Sequence, residues 1–247
     1  MEETKKSVVA AAGTKSQKLR PIGALFTDSW AIFVEGWVKF LLIFLISIAV
    51  FIGVGIGAVL LFFIPFLLIK GALGITIGVI LALIPVIIFA VAVNLASAKI
   101  VYNVCLKDKG GIADSLKYGF KHFGSFLWVT FIAGFLIILG YIFLIIPGII
   151  IGIILCLVTP IFVLEEKHNL GALGRSKELI KGYFWPVLGR LFLLGLISVV
   201  ISSIQSVTPS FFIAQALQTV ILTVANFILV FYGIIYTYLI YKDLSAK

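Results

Sequence analysis

GALFTDSWAIFVEGW at 23–37, GIADSLKYGFKHF at 111–123 and GALGRSKELIKGYF at 171–184 are three versions of one phrase, each standing just ahead of a long apolar run. In every copy a glycine is followed by a serine (Ser29, Ser115, Ser176), and an aromatic stands eight residues past that serine (Trp37, Phe123, Phe184). Between and beyond the copies, residues 40–69, 71–98, 123–164 and 191–241 carry no charge at all. A helix needs about 20 apolar residues to cross a bilayer, and no buried helix of a water-soluble domain accounts for runs this long. The chain is 62% hydrophobic and 12% charged, where ordinary soluble chains carry about 25% charged residues.

The charge decides the orientation. With the three phrases and both termini on one side of a membrane, 18 of the 19 Lys/Arg and all ten acidic residues fall on that side. Lys70 alone falls opposite. Basic residues collect in cytoplasmic loops, so the phrases and both termini are expected in the cytoplasm, with the protein in the inner (plasma) membrane. The net charge of +9 then reads as a topology signal and an attraction for anionic headgroups at the cytoplasmic face, and its spread along the chain argues against nucleic acid.

The expected fold is all-α and polytopic: six transmembrane helices as three repeated hairpins, each preceded by a cytoplasmic amphipathic interfacial helix. The spans are predicted at 38–60 and 74–98, 124–143 and 147–165, and 186–205 and 216–241. Helix-breaking residues mark the external turns: Pro65 with Lys70-Gly71, Pro147-Gly148, and Ser206 to Ser210 with Pro209. Residues 1–20 read as a disordered basic cytoplasmic tail with no secretory h-region. Residues 21–247 read as one membrane domain, with repeats over about 21–108, 109–168 and 169–247. The uncharged stretches of the first hairpin exceed one span each, so its helices either run long and tilt or make a re-entrant segment around Gly53, Gly55, Gly57 and Pro65.

On a helix, the third copy places Leu173, Ser176, Ile180 and Tyr183 on one stripe, with Arg175, Lys177, Glu178 and Lys181 largely off it. In the second copy Ile112, Leu116, Gly119, Phe120 and Phe123 share a face. Helices of this kind lie in the interface plane, with the closing aromatic at the belt where the chain bends inward. The serines are expected to bond backbone carbonyls or to let helices approach closely.

Catalysis needs converging acids, bases, nucleophiles or metal ligands, and the sequence offers none. His122 and His168 stand apart beside lysines, Cys105 and Cys156 lie on apolar segments without ligand spacing, and Glu165-Glu166 close the fourth span. Acids at a helix C-terminus oppose the helix dipole, so Arg175 or Lys177 is expected to pair with them. No catalytic residue, metal ligand or cofactor is expected. The least bland polar feature of the spans is a stripe on the last helix, Gln215, Gln218, Thr219, Thr223 and Asn226, with a smaller patch, Asn94 and Ser97, on the second span. Such residues either bond helix to helix or line a cavity for a headgroup or small solute.

LIIPGIIIGIILCLVTPIFVLEE at 144–166 followed by GALGRSKELIKGYFWPVLGRLFLLGLI at 171–197 resembles the membrane domain of the glycerophosphoryl diester phosphodiesterase family, and related six-span bacterial membrane proteins. The likeness rests on the IPG turn, the Pro160 helix ending in acids, and the Ser176 helix ending in Phe184-Trp185. The resemblance implies a membrane module that can be joined to a barrel-shaped phosphodiesterase domain. About 20 polar residues before the first copy and six after Tyr241 do not hold such a domain, so the phosphodiesterase activity is not expected here. The leading expectation is a non-enzymatic module engaging membrane lipids, partner membrane proteins or further copies of itself. A transporter or channel for a small or lipidic solute is the alternative, and a lipid-modifying enzyme the third reading.

Overall fold

A computed structural model describes residues 19–69, 71–108, 110–168, 170–205 and 212–246. Lys70, the 206–210 turn and the greater part of the N-terminal tail lie outside the described residues. Eight helices occur among the described residues, with no strand. They are α1 (Ile22–Leu68), α2 (Ala72–Cys105), α3 (Ile112–Phe143), α4 (Ile145–Ile154), α5 (Val158–Leu164), α6 (Leu170–Ile180), α7 (Phe184–Gln205) and α8 (Phe212–Ser245). With α4 and α5 taken together, six segments are long and apolar enough to cross a membrane.

The first two phrase copies are not separate interfacial helices. α1 runs unbroken for 47 residues, about 70 Å at 1.5 Å per residue, and joins the first phrase to the first span. The 53–65 stretch stays helical within it, so the spare length becomes a longer helix instead of a re-entrant segment. α3 likewise runs straight from the second phrase into the third span. The third copy alone breaks, at the turn 181–183, where Gly182 has φ +86°, a value that glycine tolerates because it lacks a Cβ.

The fourth span, predicted as one helix, is two. Proline has no N–H and its ring crowds the carbonyl four residues back. Pro160 therefore cannot continue the ladder to Cys156, and the chain tightens over 155–157. Cys156 N–H donates to the Ile153 carbonyl at 3.2 Å and Val158 N–H to the Leu155 carbonyl at 3.2 Å. The normal spacing resumes with Ile161 N–H to Leu157 at 3.1 Å. The turn before α4 also differs from the expectation. Leu144 alone separates α3 from α4, and Pro147 sits in the first turn of α4, where a missing N–H costs nothing.

The core lies at the end of the bundle that carries the charge. It draws on the N-terminal parts of α1, α3 and α7, the C-terminal parts of α2 and α8, and α5 and α6. An aromatic ladder joins α1 to α8: Phe26 to Tyr236 at 5.3 Å, Phe40 to Phe231 at 5.0 Å and Phe44 to Phe227 at 4.8 Å between ring centroids. The apolar face of the third phrase is spent on this core, since Ala172, Leu173, Ser176, Leu179 and Ile180 are all buried. Toward the other end, α1 and α2 pack mainly on each other through Gly74 and Gly78, and large apolar side chains such as Leu67, Leu68 and Leu73 stand exposed.

Candidate functional site

The three phrase serines are all buried, and their surroundings differ. Ser176 Oγ donates to the Ile154 carbonyl at 2.6 Å. That carbonyl has lost its usual donor, because Val158 N–H turns to Leu155. The third phrase therefore satisfies a backbone group that the Pro160 break exposes. Ser115 Oγ donates to the Gly111 carbonyl at 3.0 Å and accepts from Asn103 Nδ2 at 3.4 Å, tying α3 to the end of α2. Ser29 sits beside the hydroxyl of Tyr232, which donates to the Phe26 carbonyl at 3.1 Å. A buried acceptor left without a donor costs about 1–3 kcal/mol. Ser176→Ala should therefore lower stability by about that amount, read as the unfolding midpoint in detergent, and Ser176→Thr should recover most of it. An Ala variant as stable as the parent would remove this role.

Two charge networks tie helix ends together. Glu165 accepts from Tyr241 Oη at 3.0 Å and pairs with Arg175 at 3.3 Å and Lys167 at 3.2 Å, which offsets the dipole of the helix it ends. Burial works against the Arg175 guanidinium, but Glu165 and Glu178 outweigh it and hold its pKa above the ordinary value. At the other network Arg20 pairs with Asp28 and with Asp243, both at 2.9 Å. Arg190, 7% exposed, donates to the Arg20 carbonyl at 2.6 Å and to Pro186 at 2.8 Å.

His122 and His168, 46 positions apart in sequence, are neighbours with ring centroids 5.3 Å apart, beside Phe162 and Tyr118. Among the described residues no three His, Cys, Asp or Glu side chains converge on a common point. Cys105 and Cys156 are free thiols, both partly buried.

The polar stripe of α8 is exposed at Gln215, Thr219, Thr223 and Asn226, and Asn94 of α2 is exposed as well. Most of its bonds stay within the helix: Thr219 to Gln215, Thr223 to Thr219 at 2.7 Å, and Asn226 Nδ2 to Leu222 at 2.8 Å. Gln218 reaches across to the Ile204 carbonyl of α7 at 3.0 Å. Two adjoining open grooves flank the α1–α8 contact. The larger, about 360 Å³, lies between Phe33, Val34, Trp37 and Phe44 on one side and Thr223, Val224, Phe227 and Ile228 on the other. The smaller, about 250 Å³, is lined by Phe44, Thr223, Asn226, Phe227, Val230 and Phe231. Of the predicted site residues, Thr223 and Asn226 reach these grooves, and so does Trp37, the aromatic that closes the first phrase. Gln215, Gln218, Thr219 and Asn94 line neither. Phe123 and Phe184 are half-buried, Phe184 edge-on to Trp185 with centroids 5.6 Å apart.

The grooves went unseen in the sequence because neither helix contains one alone. Five of the residues facing across the contact are phenylalanines, Phe33, Phe40 and Phe44 on α1 at spacings of 7 and 4 and Phe227 and Phe231 on α8 at a spacing of 4, and that periodicity is the signal available. No family model, curated protein or solved structure matches this chain.

Proposed function

We propose that this chain is a non-enzymatic, multi-pass membrane module that engages lipid through the grooves between α1 and α8. The observation that carries the reading is the larger groove, open, apolar and within the roughly 300–1,000 Å³ typical of small-molecule sites. Trp37 stands at its charged end, half-exposed, a placement that suits the interface belt. The likeness of 144–197 to a membrane domain that travels beside a catalytic domain suits a module of this kind. In this reading the charged end and both termini face the cytoplasm, where anionic headgroups meet the basic side chains. The bare apolar half of the α1–α2 hairpin faces lipid, a partner membrane protein or another copy.

Filling the groove tests the reading. Val34 and Val224 are each about half-exposed in its walls, so tryptophan fits at either position without disturbing the core. Val34→Trp with Val224→Trp should keep the parent's unfolding midpoint while losing most of the lipid seen on the protein by native mass spectrometry. Unchanged lipid retention would reject the groove as the site.

Orientation has its own test. In a Cys105→Ala, Cys156→Ala background, Lys70→Cys should react with an impermeant maleimide from outside intact cells, and Lys177→Cys only after lysis. The reversed pattern would overturn the cytoplasmic assignment.

A further inference from the structure

We infer that the paired grooves take a neutral two-chain lipid with a free hydroxyl, of the diacylglycerol type, in preference to a phospholipid; this rests on the lipid-binding reading above. The two grooves share Phe44, Thr223 and Phe227. Phe44 and Phe227, which line both grooves, touch with ring centroids 4.8 Å apart, so the two grooves meet at this pair as at a saddle. Two chains from one glycerol can straddle such a saddle, whereas a single chain would leave one groove empty.

The lining chooses the head. Among the described residues no charged side chain lines either groove, and Thr223 and Asn226 are their hydroxyl- and amide-bearing members. A phosphate brought to this level would lie unpaired in an apolar wall, which strongly disfavours it. Lys39, the nearest cation along α1, is five residues before Phe44, about 7.5 Å along the axis, and about 200° around the helix from Trp37 at 100° per residue. It therefore points away from the groove face. The Thr223 hydroxyl donates to Thr219 and one Asn226 amide hydrogen to Leu222. Asn226 keeps its carbonyl oxygen and second amide hydrogen, and Thr223 its lone pairs. A hydroxyl both donates and accepts, and so satisfies this set without bringing a charge.

Trp37 reports on occupancy from inside the larger groove. The 247-residue chain with Trp30→Phe, Trp128→Phe and Trp185→Phe keeps Trp37 as its one indole. It would be placed in phosphatidylcholine vesicles doped with chain-brominated dioleoylglycerol, phosphatidylglycerol or phosphatidylcholine. The expected result is saturable quenching by the brominated dioleoylglycerol, and quenching by the two phospholipids that rises only in proportion to their abundance. Asn226→Leu, with its melting point unchanged, should raise the half-saturating fraction of dioleoylglycerol by about tenfold, the size of one hydrogen bond. Saturation by a phospholipid, or an unmoved half-point in Asn226→Leu, would overturn the headgroup assignment and leave the lipid groove standing. Proportional quenching by all three would overturn both.

Discussion

Arg190→Met should lower the stability of the protein by about 2–3 kcal/mol, a fall of roughly 5–10 °C in the unfolding midpoint for a chain of this size. Arg190 lies in a span, 7% exposed, and its Nε has no partner among the described residues. Burying a guanidinium is costly, so its removal carries a gain as well as a loss. The loss should win because of what the fork holds. The Pro186 carbonyl is in the same helix, four residues back, and can keep the backbone N–H of residue 190. The Arg20 carbonyl is different: it comes from the segment leading into α1, with Arg190 Nη2 as its donor at 2.6 Å. Arg20 also bonds Asp243 through both its backbone N–H, at 3.2 Å, and its side chain. The one residue thus joins the starts of α1 and α7 to the end of α8, and Tyr236 Oη adds a bond to the Arg190 carbonyl at 3.3 Å. Arg190→Lys should recover less than half of the loss, because a single ammonium lacks the planar fork. Asp28→Ala should cost under about 1 kcal/mol, as an exposed ion pair does. A Met variant melting within about 2 °C of the parent would show that the charge is tolerated there without holding the helices.

The spans were legible because they rest on one strong signal, the absence of charge over a membrane's width, and the six apolar segments follow it. Their interruptions and joins were not, because those depend on partners. Pro160 is visible in the sequence, but whether a proline bends a span or breaks it depends on what receives the freed carbonyl, and here that is Ser176, 22 residues after Ile154. Glu35 and Lys39 mark an interface, yet α1 passes through it as one unbroken helix. Gly36, between them, is buried against Phe40 and Val104, so α2 packs closely on the helix there. The α8 stripe shows the same limit. Spacing put Gln215, Gln218, Thr219, Thr223 and Asn226 on one face, but only the position of α1 shows that Thr223 and Asn226 reach a groove. The phrase itself, legible as a repeated corner, turns out to be built two ways: continuous with its span twice, and separated from it once at Gly182.

Two glycines of α3, five residues apart, should respond to the same substitution with opposite sign. A Cβ on Gly119 would lie 2.3 Å from the Ala92 carbonyl oxygen and 3.1 Å from the Ala96 Cβ. The first is a backbone atom of α2 and cannot swing aside, and Ala92 and Ala96 are both buried. Gly119→Ala must therefore push α3 off α2 beside Ala96, which belongs to the charged-end core. Overpacking of this kind costs about 1–3 kcal/mol and occasionally more, against a gain of up to about 1 kcal/mol from helix propensity. A net loss of about 2 kcal/mol is expected, and Gly119→Leu should not assemble. At Gly124 a Cβ meets nothing within 4 Å, so Gly124→Ala should be neutral or stabilising by up to about 1 kcal/mol. Both variants change one atom type on one helix, so differences in expression or detergent largely cancel between them. The same comparison separates a tight α2–α3 crossing from a loose one, because a loose crossing would let both alanines stabilise. Equal midpoints for the two variants would mean that α2 and α3 do not meet at Gly119. In that case the Asn103–Ser115 bond, one turn before that glycine, would not hold the end of α2 in place either.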